Sequence, residues 1–172
     1  FEEYFQPESL EQALEIKAEY QDQIEVAAGS TDLLVANYEK LHEIKNWLDL
    51  DKIDELRRIE VKDNNLHIGA MATHLQLMKS DVVKEKLAVL AAAAEDVGSP
   101  QIRSRGTIGG NICTSSPAGD LLAPLLSYEA SFKLQSAEAE RIVRAEDFFT
   151  GPKRNLMEAD ELLTEIIIPL TE

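Results

Sequence analysis

The chain has 172 residues, 44% of them hydrophobic, enough for a packed core in one domain or two small lobes. Its formal net charge of −15 excludes the basic face that nucleic acid or an anionic membrane surface needs. The single cysteine, Cys113, excludes an internal disulfide framework or a thiolate-held cluster and fits a reducing cytoplasm.

No apolar run approaches membrane-spanning length and no signal peptide is visible. The chain starts at Phe1, which reads as a trimmed terminus. Ser9-Leu10-Glu11-Gln12 is a capping box, and Leu10, Ala13 and Leu14 follow helical spacing, so the pattern predicts a helix over about 9–20. Ile24–Ala27 predicts a strand running into Ala28-Gly29-Ser30-Thr31-Asp32, with Thr31-Asp32 starting a short helix. Asn46–Leu50 predicts another strand. Arg58–Lys62 and Leu66–Ala70 alternate around Asp63-Asn64-Asn65 and predict a hairpin.

Asp81–Val97 predicts one long helix with Val83, Leu87, Leu90, Ala91 and Ala94 on its core face. Ile102–Gly106 leads into a second glycine loop, and Asp120–Leu126 predicts a short helix or turn. Phe132–Gln135 and Arg141–Val143 predict a second hairpin, with Glu138–Glu146 as its solvated edge. Ile166–Ile168 predicts a last strand, ended by Pro169. Nothing after this strand covers it, which reads as a fragment or a chain that relies on further structure. Short strands with irregularly inserted helices predict an α+β fold. A lobe boundary falls near Asp51–Asp54.

The stretch Thr107–Asp120 holds Gly109, Gly110, Asn111, three hydroxyls after Cys113, Gly119 and Asp120. Gly109 and Gly110 can take positive φ, which would turn consecutive N–H groups inward as an anion nest. Asp120 suits a ribose, because a carboxylate near a dinucleotide most often bonds sugar hydroxyls. The plainer alternative is a polar turn with Asp120 as a helix cap. The Gly29 loop has the same two readings, a phosphate seat or an N-cap by Ser30 or Thr31. An acidic protein must hold phosphates by backbone N–H groups, so two such loops suit a ligand with two phosphates and a ribose.

These residues resemble the FAD-binding (medium) subunit of the molybdenum hydroxylases, the family that includes carbon monoxide, xanthine and nicotinate dehydrogenases. The resemblance runs from Tyr4–Ser9 to Asp160–Ile166 and includes Ile68–Thr73 and Ala145–Pro152. It implies a two-lobed FAD-binding α+β fold, with an N-terminal lobe at 1–53, a middle lobe at 54–172 and the family's C-terminal lobe absent. It implies noncovalent FAD between the two loops, lined by Val26, Ala27, Ala28, Gly29, Ser30, Thr31, Asp32 and Leu33. The facing residues would be Thr107, Ile108, Gly109, Gly110, Asn111, Thr114 and Gly119, with Asp120 toward the ribose. Val97 and Leu163 fall where the family packs residues near the cofactor. Ala28 departs from the pattern, standing where a second glycine is common.

The implied partners are a large subunit with the molybdenum cofactor and a small subunit with [2Fe-2S] clusters. FAD would pass electrons from those clusters to NAD or another acceptor. The chain itself then needs no catalytic acid, base, nucleophile or metal. Cys113 reads as a small packed residue, and Trp47 as core or lobe packing. His42, His67 and His74 read as surface or hairpin residues, and no His lies in either loop. Arg103 and Arg105 precede the second loop and face either phosphate, a partner or water. Two other readings compete: a reductase acting on a nucleotide sugar, for which no acid–base pair is visible, and a truncated flavin domain that only docks to partners.

Overall fold

A computed structural model describes residues 2–39 and 44–170. Strand β1 (Glu3–Phe5) leads to helix α1 (Leu10–Tyr20), β2 (Ile24–Ala27), α2 (Leu33–Tyr38) and β3 (Asn46–Asp49). Ser9 Oγ accepts from the Gln12 N–H at 3.3 Å and caps α1. The Gln12 side chain returns to Glu8 N–H rather than Ser9 N–H, so the box is displaced by one residue. Strands β1 and β2 flank β3, both parallel to it. Ala13, Leu14, Ile24 and Leu48 form the core under this small sheet, which also recruits Leu56, Met71 and Leu162 from later in the chain.

β4 (Ile59–Lys62) and β5 (Asn65–Gly69) form the expected hairpin. Asp63 and Asn64 both sit at positive φ, 49° and 59°, as a two-residue hairpin turn of matching twist demands. Five helices follow: α3 (His74–Lys79), α4 (Asp81–Lys86), α5 (Ala88–Asp96), α6 (Pro100–Arg105) and α7 (Ile108–Thr114). After α8 (Leu122–Ser127) come β6 (Ser131–Gln135), β7 (Glu140–Arg144), α9 (Ala145–Phe148), the small β8 (Phe149–Gly151) and β9 (Arg154–Asn155) pair, and β10 (Leu162–Pro169). The order β4-β5-β10-β6-β7 is antiparallel throughout. One face carries Leu66, Ile68, Phe132, Leu134, Ile166 and Ile168, all fully buried under the helices.

Three expectations need correction. The helix over Asp81–Val97 is broken at Leu87 (φ −133°, ψ 50°), whose N–H closes α4 onto Val83 and whose carbonyl starts α5 by accepting from Leu90 and Ala91. Neither Gly nor Pro marks that break in the sequence. The leader Ile102–Gly106 belongs to helix α6, opened by Ser99 as N-cap and Pro100 at its first position. The last strand starts at Leu162, four residues before the predicted Ile166, and ends at Pro169 as expected. The strand is also the centre of the large sheet, flanked by β5 and β6. Among the described residues no helix is long and apolar enough to cross a membrane.

Candidate functional site

The two glycine loops meet. An ideal Cβ on Gly29 would fall inside the Arg105 carbonyl oxygen and 2.8 Å from Gly106 Cα, so only glycine lets the first loop lie against the α6–α7 junction. A Cβ on Gly110 would stand 4.0 Å from Ala28 Cβ, so α7 flanks the same loop. Ala28 holds its place without positive φ.

The first loop leaves its donors open. The backbone N–H groups of Gly29, Ser30, Thr31, Asp32 and Leu33 meet no acceptor among the described residues. Ser30 is in the left-handed region at φ 57°. Apart from exposed Asp32, these residues are half-buried. The N-cap of α2 is Asp32, with αR backbone and no side-chain cap, rather than Ser30 or Thr31 as the plainer reading of this loop had it. A run of half-buried, unpaired N–H groups is a favourable seat for an anion.

The second loop is built otherwise, and the expected nest is not there. Gly109 and Gly110 are helical and neither has positive φ. Thr107 is the N-cap, and its Oγ1 accepts from Gly110 N–H at 3.1 Å. Ile108 N–H donates to Ala72 and Gly109 N–H to Ala70, both at 2.9 Å, and Asn111 N–H returns to Thr107 at 3.0 Å. The first-turn donors of α7 are therefore committed. The glycines serve contact: a Cβ on Gly109 would lie 2.7 Å from both Cβ and O of Ala70.

What α7 offers a ligand is side chains. Asn111 Oδ1 is buried with no donor. The Thr114 hydroxyl is turned back onto the Gly110 carbonyl at 2.8 Å. Ser115, left-handed at φ 49°, ends the helix, and Asn155 Nδ2 holds its hydroxyl at 3.1 Å. Gly119 closes a turn onto Ser116 at 2.8 Å, and Asp120 beyond it is exposed. Val97 and Leu163 lie in the core, at the end of α5 and on β10.

His74 overturns its expected surface placement. It is 3% exposed, opens α3, and lies under Gly106, whose Cβ would stand 3.0 Å from His74 Cδ2. Its backbone N–H donates to the Gly106 carbonyl at 3.0 Å, while the ring Nδ1 is buried without a partner among the described residues. Burial pushes the imidazole down to about 4, and the nearby Asp120 and Asp32 carboxylates oppose that shift. Both acids therefore lie within electrostatic reach of the seam. The Thr73-x-x-Gln76 capping box that starts α3, with a 2.8 Å bond from Thr73 N–H to Gln76, was the sequence signal available for this placement.

The remaining candidates are occupied elsewhere. Arg103 Nη1 donates to the Val97 and Gly98 carbonyls at 3.1 Å, tying off α5. Arg105 Nη1 lies 3.7 Å from Asp51 Oδ1. His67 pairs with Glu165 at 3.2 Å on the sheet, and His42 lies outside the described residues. The Cys113 sulfur is 3.7 Å from Met157 Sδ, and burial pushes the thiol up to about 12, which suits packing and not attack. Trp47 is buried against Ala27 and Ile44.

The model of the family "FAD binding domain in molybdopterin dehydrogenase" matches residues 1–171. The chain is 39% identical over 170 residues to a nicotinate dehydrogenase FAD-subunit of Eubacterium barkeri, covering 96% of this chain and 57% of the relative. It is 32% identical over 170 residues to a xanthine dehydrogenase FAD-binding subunit of Escherichia coli O157:H7, covering 98% and 58%. The structure superposes on a carbon monoxide dehydrogenase chain from Hydrogenophaga pseudoflava with a TM-score of 0.96 and 33% identity, covering 99% of this chain and 60% of that one. The chain thus spans just under three-fifths of the length of the curated relatives it matches.

Proposed function

Since the chain belongs to the family of FAD-binding domains in molybdopterin dehydrogenases, we propose that it is the FAD-binding part of a molybdenum-containing hydroxylase or dehydrogenase. The observation that carries the reading is the run of N–H groups over Gly29–Leu33 that meet no acceptor among the described residues, at a seam with the α6–α7 junction that only glycine permits. The pyrophosphate belongs on those donors. They supply the positive potential that a chain of net charge −15 lacks in its side chains. Asp120, exposed beyond the Gly119 turn, would face ribose hydroxyls, and the buried Asn111 Oδ1 would accept a donor from the ligand or from a water it orders.

The repulsion between phosphate and the carboxylates of Asp32 and Asp120 requires that the acids face sugar or solvent and not the anion. Bound FAD would supply the electron-accepting and electron-donating chemistry, and this chain would hold and orient it. The electrons would come from iron–sulfur clusters on a small partner, after substrate oxidation at a molybdenum centre on a large partner, and leave to NAD or another acceptor. Residues 1–53 and 54–172 serve as the two lobes that close on the cofactor, the first bringing the open donors and the second the wall.

Titrating the chain with FAD, followed by absorbance and flavin fluorescence, tests this. Saturable one-to-one binding is expected. Asp120→Ala is expected to weaken it about tenfold, the scale of a lost charge-assisted hydrogen bond. A folded chain that leaves FAD fluorescence unchanged at saturating concentration sinks the reading.

A further inference from the structure

One ion cluster outside the seam joins two segments, each of which is hydrogen-bonded through a neighbouring residue to one of its walls. Arg57 Nη2 donates to Asp51 Oδ1 at 2.6 Å and to the Asp51 carbonyl at 3.0 Å, while Nη1 donates to the Met71 carbonyl at 3.2 Å. Asp51 follows Leu50, whose N–H is held by the Ala27 carbonyl at the root of the Gly29 loop. Met71 lies between Ala70 and Ala72, whose carbonyls hold Gly109 and Ile108 of α7. The same Asp51 oxygen is 3.7 Å from Arg105 Nη1, and the Arg105 carbonyl is what Gly29 rests on. The Asp51 and Arg57 side chains are 38% and 24% exposed, so water screens them less than a free surface pair.

We propose that Asp51, joined to Arg57 and Arg105, is a positioning residue that sets the width of the seam, and so the fit of a pyrophosphate between the Gly29 loop and α7. This rests on the FAD reading above. The planar guanidinium of Arg57 spans three acceptors on two segments, which a lysine ammonium on a flexible stem does not reproduce. Asp51→Asn keeps the shape and removes the charge that draws Arg57 and Arg105 together. A wider seam weakens a ligand whose phosphates sit on the Gly29-loop donors and pack against α7.

The test uses the chain, its Asp51→Asn and Arg57→Lys variants and the double variant, without ligand and with ADP or FAD. Without ligand, amide hydrogen exchange is expected to quicken at Ile108 and Gly109 and the amide signals of Gly29–Leu33 to shift, with β6 unchanged. With ligand, calorimetry is expected to show Kd for both ADP and FAD raised about tenfold by either substitution. The double variant should be no worse than either alone, because all act through one cluster. Val83→Ala, a core change on α4, controls for global loss: it lowers Tm and leaves both affinities in place. Seam amides and affinities at wild-type levels in Asp51→Asn overturn the inference, as does weakening that Val83→Ala reproduces at equal Tm loss. A wild-type chain that binds neither ADP nor FAD overturns the FAD reading instead, and the exchange measurement still decides whether the cluster joins the two walls.

Discussion

Ala28–Asp32 and Thr107–Asn111 carry the same residue types, glycine beside hydroxyl and amide or carboxylate, and lie against each other. Their backbone donors end differently. In the first, five consecutive N–H groups meet no acceptor among the described residues; in the second, the N–H groups of Ile108, Gly109, Gly110 and Asn111 all do. Glycine therefore does two jobs here. Neither Gly109 nor Gly110 uses the positive φ that makes glycine special in nests; both are helical residues, and Gly109 is present because a neighbour leaves no room for a Cβ. The left-handed position in the pair of loops belongs to a serine, Ser30. A glycine-rich sequence marks either a bent backbone or a close approach, and only the hydrogen-bond pattern tells which.

The contrast breaks most sharply at Gly109→Ala. Helix propensity alone predicts a gain of about 1 kcal/mol for Ala over Gly. The new Cβ would lie 2.7 Å from the Ala70 Cβ and carbonyl oxygen, the same oxygen that accepts the Gly109 N–H. Overpacking against backbone costs about 1–3 kcal/mol or more, and the displaced carbonyl adds a lost hydrogen bond of about 1 kcal/mol. The clash wins, so a net loss of about 2 kcal/mol is expected by urea denaturation without any ligand. An unchanged or raised midpoint would show that Ala70 yields to a Cβ and that helix propensity, not the close contact, decides at Gly109.

Sequence periodicity served well where the local pattern decides the outcome. The α1 helix, both hairpins and the β2 strand lie where their alternation and capping residues put them. It failed where the deciding partner is distant. Ala70 and Ala72 lie more than thirty residues before α7, and nothing in Thr107–Asn111 says that their carbonyls will take its first-turn donors. The break at Leu87 has no glycine or proline to announce it. His74 reads as a scattered surface histidine until the Thr73 capping box and Gly106 enclose it. The juxtaposition of the loops came from family resemblance; the steric requirement at Gly29 gives it a physical basis.

His74 gives an effect of comparable size, spread over a pH window, and probes the floor of the seam. Its folded pKa of about 4 lies below the ordinary 6.5 because burial disfavours the imidazolium. The sign follows: the neutral buried ring contributes fully above about pH 6.5, and the contribution is lost as pH falls from there toward 4. The shift is worth roughly 3 kcal/mol between those limits. His74→Leu should flatten that segment of the stability–pH curve relative to wild type. Two parallel curves over the window would show that the ring is solvated when protonated.

Thr107→Val tests whether the donors of α7 are spent on its own cap. Loss of the Thr107 hydroxyl frees Gly110 N–H, at a cost of about 1 kcal/mol in stability. Thr107→Ser should keep the cap. The freed donor makes the turn more like the Gly29 loop, so ADP should bind Thr107→Val no more weakly than wild type once the folded fraction is corrected. A drop in ADP affinity specific to the valine variant would place the Thr107 hydroxyl on the ligand.

Ser30→Gly carries the smallest change and separates backbone from side chain in the first loop. A non-glycine residue in the left-handed region costs about 1–2 kcal/mol, and glycine's extra chain entropy takes back about 0.5–1. The variant should therefore be more stable by about 0.5 kcal/mol. Because the Ser30 N–H meets no acceptor among the described residues, and glycine keeps that N–H at the same φ without strain, ADP and FAD should bind with unchanged Kd. If affinity falls while the midpoint rises, the serine hydroxyl rather than the peptide donor holds the phosphate, and the loop works through its side chains.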